Sequence, residues 1–268
     1  VWTSTDGLTW TPVPQDDAVF RPNPDEFGNA FAWMQDVTAG GPGLVAVGTI
    51  GSSGAVWTSP DGITWTLAPR DAEVLGEEEV EDWGDRTELL SVTSGGPGLV
   101  TVGTTGSSGA VWTSPDGTTW SRVAHNESVF SSDGLQIMNS VTVGGPGLVA
   151  VGSSVWTSED GFDWTRIALD ADTDDDTIQS VAVGGPGLVA VGSHVWTSED
   201  GRTWVPFTPP FGFDGASVTA GGPGVVAVGS NPSPRPISAR SKRKPSLSAH
   251  HHDYSLRVST GITAVVSQ

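Results

Sequence analysis

The chain has no cysteine, one tyrosine (Tyr254) and two methionines among 268 residues. Without Cys there are no disulfides, no thiolate nucleophiles and no thiolate metal sites, and the redox compartment stays open. No stretch approaches the roughly 18 consecutive apolar residues of a membrane span. Lysine is absent from residues 1–230, which hold six arginines against 30 acidic residues, a formal −24. A surface of that sign repels phosphate backbones, so nucleic acid is not an expected partner. The first residue is Val with no signal-peptide pattern before it, which reads as a processed form or a fragment.

Glycine (36), proline (19) and tryptophan (12) are plentiful. Much of that supply goes into one motif: VWTSTDGLTW at 1, VWTSPDGITW at 56, VWTSPDGTTW at 111, VWTSEDGFDW at 155 and VWTSEDGRTW at 195. A second motif alternates with it, GGPG followed by LVAVG, LVTVG or VVAVG, starting at 40, 95, 144, 184 and 221. Spacings of this size belong to solenoids and propeller blades. The unit at 180–205 divides into four strands: SVAV, LVAVG after the GGPG turn, VWTS, and TWV after the EDG turn.

Four-stranded antiparallel units recurring in tandem predict an all-β chain folded as a β-propeller. Four full units begin near Gln35, Leu90, Asn139 and Gln179, with half-units at 1–13 and 216–230. Pairing of the two halves would make five blades; a piece of a six- to eight-bladed ring is the alternative.

S-x-D-G-x-T-W resembles the Asp box of BNR-repeat proteins, the superfamily of sialidases and sortilin-type receptors. The family pattern has one more residue between Asp and Gly, and Asp163 stands where Thr is usual. The resemblance covers residues 1–230 and implies the fold far more than any activity.

Within each motif the residues suit a turn. Asp6, Asp61, Asp116, Asp160 and Asp200 can accept backbone N–H bonds, with Ser4, Ser59, Ser114, Ser158 and Ser198 adding hydroxyl bonds. Gly7, Gly62, Gly117, Gly161 and Gly201 can take positive φ. Trp10, Trp65, Trp120, Trp164 and Trp204 offer large apolar area for the spaces between blades. Five such carboxylates on five blades point to five places, whereas catalytic groups converge on one substrate. The reading is structural, with no catalytic residue assigned.

Function is expected on the opposite face, which carries the inter-blade links 14–34, 68–88, 124–138, 168–178 and 206–215. Trp33, Trp83, Phe130 and Phe211 with Arg21 and Arg86 are the candidate ligand-binding residues there. Asp170, Asp172 and Asp174 alternate as Ca²⁺ ligands do, although Gly and the final acid of a calcium loop are missing. Ca²⁺ is thus the one cofactor considered. For a sialidase the resemblance implies three convergent arginines and a Tyr nucleophile, yet Tyr254 is outside the repeats. Arg122, Arg166 and Arg202 are expected on the turn face.

After Ser230 the repeat stops, and residues 231–268 form a basic Ser/Pro-rich segment with SKRK and HHH. It reads as disordered or as the product of a reading-frame change. The overall expectation is a non-catalytic, secreted or cell-surface binding module for a saccharide or protein ligand. The alternatives are a glycoside hydrolase of the sialidase superfamily and a purely structural repeat module.

Overall fold

The computed structural model describes residues 1–22, 32–77, 85–131, 134–169, 177–207, 209, 213–222 and 224–230, and the backbone of 262–267. The chain opens with a ribbon of β1 (Trp2–Thr3) and β2 (Thr11–Pro12), then the helical turn α1 (Asp17–Phe20). The first full sheet is β3 (Ala32–Gly40), β4 (Gly43–Ile50), β5 (Ser53–Ser59) and β6 (Thr66–Leu67). After α2 (Ala72–Leu75) comes the second: β7 (Thr87–Gly95), β8 (Gly98–Thr105), β9 (Ser108–Ser114) and β10 (Ser121–Arg122). After α3 (Glu127–Phe130) comes the third: β11 (Met138–Gly144), β12 (Gly147–Gly152), β13 (Val155–Ser158) and β14 (Trp164–Ile167). The fourth is β15 (Ile178–Gly184), β16 (Gly187–Gly192), β17 (Val195–Ser198) and β18 (Val205–Phe207). Strands β19 (Asp214–Gly221), β20 (Gly224–Ser230) and β21 (Ile262–Ser267) form the last sheet.

Each full sheet is an antiparallel meander in chain order. The first strand of every sheet packs on the first strand of the next, β3 on β7, β7 on β11, β11 on β15 and β15 on β19. First strands therefore line a shared axis and the sheets radiate as blades of a β-propeller.

The apolar pattern explains the stacking. In the four full sheets the LVAVG, LVTVG and VWTS strands are almost wholly buried, because neighbouring elements cover both faces. Val45, Val47 and Val56 of the first blade meet Leu89, Leu99 and Trp112 of the second. Val100, Val102 and Val111 meet Met138, Leu148 and Trp156 at the next step, and Val149, Val151 and Val155 meet Ile178, Leu188 and Trp196 at the one after. Each step is thus the same core, rebuilt from the same sequence letters.

Two polar devices tie blades together. A bulge in each first strand is followed by Asp36, Ser91, Ser140, Ser180 or Ser217. Asp36 Oδ2 accepts the N–H of Val92 at 2.9 Å, and Ser91 Oγ accepts that of Val141 at 3.2 Å. Ser140 Oγ serves Val181 at 3.3 Å, and Ser180 Oγ serves Val218 at 3.2 Å. At the turn end, the GGPG loops of the first three blades rest on the next blade's Ser-x-Asp-Gly turn. A Cβ on Gly41 would meet the Asp116 carbonyl at 2.7 Å, and Gly96 and Gly145 lie equally against Asp160 and Asp200.

The ends depart from the expected pairing of half-units. Strands β1 and β2 pair only with each other, and the edge of β20 is taken by β21, running parallel. The VVAVG strand there lacks an antiparallel third strand, and ITAVVS is rich in strand formers able to satisfy that open edge. Of residues 231–268 only the backbone of Ile262–Ser267 is described, and the rest of that segment lies outside the described residues. Among the described residues no helix is long and apolar enough to cross a membrane.

Candidate functional site

The motif carboxylates are fully committed to their own turns. Asp61 Oδ1 accepts the N–H groups of Ile63 at 2.8 Å and Thr64 at 2.7 Å, and Oδ2 accepts the Thr64 hydroxyl at 3.1 Å. Ser59 Oγ accepts the Gly62 N–H at 2.8 Å. The other four turns repeat the backbone bonds to Oδ1, centred on Asp6, Asp116, Asp160 and Asp200, and the Thr hydroxyl bond to Oδ2 recurs at Asp116 and Asp200. These donated bonds hold Asp6 and Asp116 down at about 2, led by the N–H of Thr9 and of Thr119 respectively. Asp61, Asp160 and Asp200 are lowered for the same reason, led by the N–H of Thr64, Asp163 and Thr203. A carboxylate so stabilised in its charged form is a poor proton donor near neutrality.

The second tryptophans close the turns. Trp65, Trp120, Trp164 and Trp204 donate Nε1–H to the carbonyls of Gly62, Gly117, Gly161 and Gly201 at 3.0–3.2 Å. All four are buried, whereas Trp10 is 57% exposed.

The link face has its own repeated fitting, which the sequence reading missed. In α1, α2 and α3 the N-caps are Asp16, Asp71 and Asn126, whose side chains accept the N–H two residues on. The carbonyl of Val19, Val74 or Val129 then accepts the indole N–H of Trp57, Trp112 or Trp156 of the following blade, at 2.7–2.9 Å. Leu75 and Phe130, next in each turn, are buried. The legible signal was the triplet AVF, EVL and SVF behind an Asp or Asn cap.

That fitting corrects one assignment. Phe130 was expected to face a ligand but is 3% exposed, packed with Val102, Met138 and Trp156 as a loop anchor. Arg86 is drawn inward as well: Nη2 donates to the Gly51 carbonyl at 2.8 Å. Beside it Arg70 Nη1 donates to Ser53 Oγ at 3.3 Å, and burial pushes the Arg70 guanidinium below its usual value. Both arginines thus hold the turn between β4 and β5. Arg166, expected on the turn face, instead donates from Nη1 to the Ser131 carbonyl of the third link at 3.0 Å. Arg202 stays on the turn face, paired with Glu159 at 3.3 Å between exposed side chains.

Trp33 and Arg21 remain at the surface, Trp33 with 52% exposure on β3. The candidates Trp83 and Phe211 and the calcium candidates Asp170, Asp172 and Asp174 lie outside the described residues. Among the described residues, no three His, Cys, Asp or Glu side chains gather as a metal site would require. One small polar group stands on the link face: Ser131 Oγ lies 2.8 Å from Ser108 Oγ and 3.3 Å from His125 Nε2.

A cavity of about 540 Å³ lies between the N-terminal ribbon and the first blade. Val1, Trp2 and Val13 line one wall, and Phe20, Met34 and Trp57 the other. Two smaller hollows, about 330 and 270 Å³, sit on the turn face around Asp200 and Asp160. The first of these is lined by Ser198, Glu199, Asp200 and Thr203, the second by Glu159, Asp160, Asp163 and Arg202.

No family profile and no curated protein matches the chain. Several solved structures do resemble it. A virginiamycin B lyase from Staphylococcus aureus aligns at 13% identity and TM-score 0.48, over 81% of this chain and 66% of the lyase. A streptogramin B lyase aligns at 13% identity and TM-score 0.48, over 74% and 65%. YCF48 bound to a D1 peptide aligns at 16% identity and TM-score 0.45, over 74% and 62%. The chain spans just under two thirds of the length of each.

Proposed function

We propose that the protein is a non-catalytic binding module, secreted or displayed at a cell surface, whose link face engages a saccharide or a protein. The observation carrying this reading is the pinning of successive links by one indole–carbonyl bond each. Trp57, Trp112 and Trp156 fix a single helical turn per link and leave the remaining loop length free to vary. Rigid anchors beneath variable loops are the usual construction of a recognition surface. Trp33 and Arg21 belong to that surface and offer a flat apolar plane and a cation. The Asp turns act as blade fasteners, as in the Asp-box propellers they resemble, and take no part in chemistry.

A glycan array and a panel of fluorogenic glycosides, run with the same purified protein, test this directly. Binding without turnover, lowered at least tenfold by Trp33→Ala, is the expected result. Turnover above background would establish the glycoside hydrolase reading in its place.

A further inference from the structure

We propose that Asn126 is an N-glycosylation site whose glycan stands on the third link. The proposal rests on the secreted reading above, since the transferases that modify such sites meet chains leaving the cytosol.

The chain has five asparagines, and one of them, in Asn126-Glu127-Ser128, completes the acceptor pattern Asn-x-Ser/Thr. Asn231-Pro232-Ser233 has the outline of a second, but proline at the middle position excludes it. The repeat shows which substitutions create the first. The three link helices begin Asp16-Asp17-Ala18, Asp71-Ala72-Glu73 and Asn126-Glu127-Ser128, with the same extended cap backbone. In the third alone the cap is an amide and a hydroxyl stands two residues on. Capping needs neither change, because Asp16 and Asp71 accept the N–H two residues on at 3.0 Å without them.

The geometry suits the reaction. Asn126 and Ser128 are both exposed. Asn126 Oδ1 accepts the Ser128 N–H at 3.1 Å and the Ser128 hydroxyl at 2.8 Å. Bonds donated to an amide oxygen draw charge toward it and ease loss of an Nδ2 proton. These groups lie within three residues, so the arrangement forms locally, before any blade has folded.

Oδ1 serves the turn, and Nδ2 is the atom the reaction uses. Nδ2 attacks the anomeric carbon of a lipid-linked glycosyl diphosphate and forms the N–C bond. The bond from that carbon to the phosphate oxygen breaks, and the diphosphate leaves with the electron pair. A base of the transferase takes the Nδ2 proton. The product keeps Oδ1 and with it the cap. Further along the same turn the chain is committed inward, with the Val129 carbonyl on Trp156 and Phe130 buried. The cap is the outward end. A bulky glycan there shields the third link and leaves Trp33 and Arg21, both in the first link, uncovered.

The full chain behind a cleavable secretory leader, expressed in cultured eukaryotic cells, tests the site. Secreted protein should carry one glycan, seen as reduced gel mobility that peptide-N-glycosidase reverses. The same enzyme run in heavy-oxygen water should label position 126 alone in peptide mass spectra. Asn126→Asp and Ser128→Ala should each abolish the shift, and Ser128→Thr should keep it. Asn126→Asp retains a capping carboxylate, as at Asp16 and Asp71, so its loss of the shift does not report misfolding. A protease of broad specificity should cut link 124–138 several-fold faster in Asn126→Asp than in the glycosylated protein. Secreted protein with Asn126 unmodified overturns the proposal and leaves the secreted reading standing. A glycan on Asn126 of chains that all stay in the cell sustains the site and overturns that reading.

Discussion

The indole N–H of Trp112 donates to the carbonyl of Val74 at 2.7 Å, tying the link that leaves the first blade to the third strand of the second. The ring of Trp112 is fully buried, so its role divides into packing and a single hydrogen bond. Trp112→Phe keeps most of the packing and leaves the Val74 carbonyl without its donor. A loss of about 1–3 kcal/mol follows from stranding a buried acceptor. Limited proteolysis should then cut link 68–88 faster, ahead of global unfolding. Equal acceleration at all links would show that the bond does not act locally.

Ser91 bridges three blades through one hydroxyl. It donates to Asp36 Oδ2 at 2.8 Å and accepts from the Val141 N–H at 3.2 Å. Ser91→Ala orphans a buried amide and should cost about 1–3 kcal/mol. Ser140→Ala is the comparison, because Ser140 Oγ accepts the Val181 N–H at 3.3 Å in the same way. A comparable loss of denaturation midpoint in both variants is expected, and a silent Ser91→Ala would show that the bond contributes nothing net.

Gly103 sits opposite the bulge of β7, where an added Cβ would collide with the Glu88 carbonyl. The same collision awaits Gly48, Gly152, Gly192 and Gly229, against Trp33, Ile137, Thr177 and Asp214. Backbone cannot retreat as a side chain can, so Gly103→Ala should cost on the order of 3 kcal/mol. Thermal unfolding followed by tryptophan fluorescence measures it. A shift within about 0.5 kcal/mol, typical of a surface substitution, would show that the bulge relaxes.

That glycine also marks the limit of what the sequence made legible. The blade pattern was readable because alternation, Gly-Pro turns and the Ser-x-Asp-Gly spacing act locally, within a few residues. The last Gly of LVAVG looked like an ordinary strand end, since the bulge that demands it lies on another strand. For the same reason Phe130 read as a candidate ligand contact. An aromatic in a loop looks identical whether it faces solvent or anchors the loop, and only the indole of Trp156 arriving from the next blade decides. Phe130→Ala should accordingly lower stability by about 3–5 kcal/mol. Trp33→Ala, at the surface, should act on binding far more than on the melting temperature.

Acid should unfasten the blades through the turn carboxylates. Asp116 is held at about 2 in the folded protein, below its ordinary 3.8, chiefly by the Thr119 N–H and then by that of Thr118. With the folded value below the unfolded one, the unfolded chain takes up the proton first as pH falls. The contribution of Asp116 is therefore whole above about pH 5 and drains away as pH drops through 3.8 toward 2. Asp61, Asp160 and Asp200, lowered by equivalent bonds, add to the same slope. Urea midpoints measured from pH 6 to pH 2 should be flat at first and then fall. Asp116→Asn starts lower, because the amide accepts the same N–H bonds without charge, and it falls less steeply in that window. Parallel curves for the two proteins across the whole range would mean that this carboxylate is not ionised ahead of the unfolded chain.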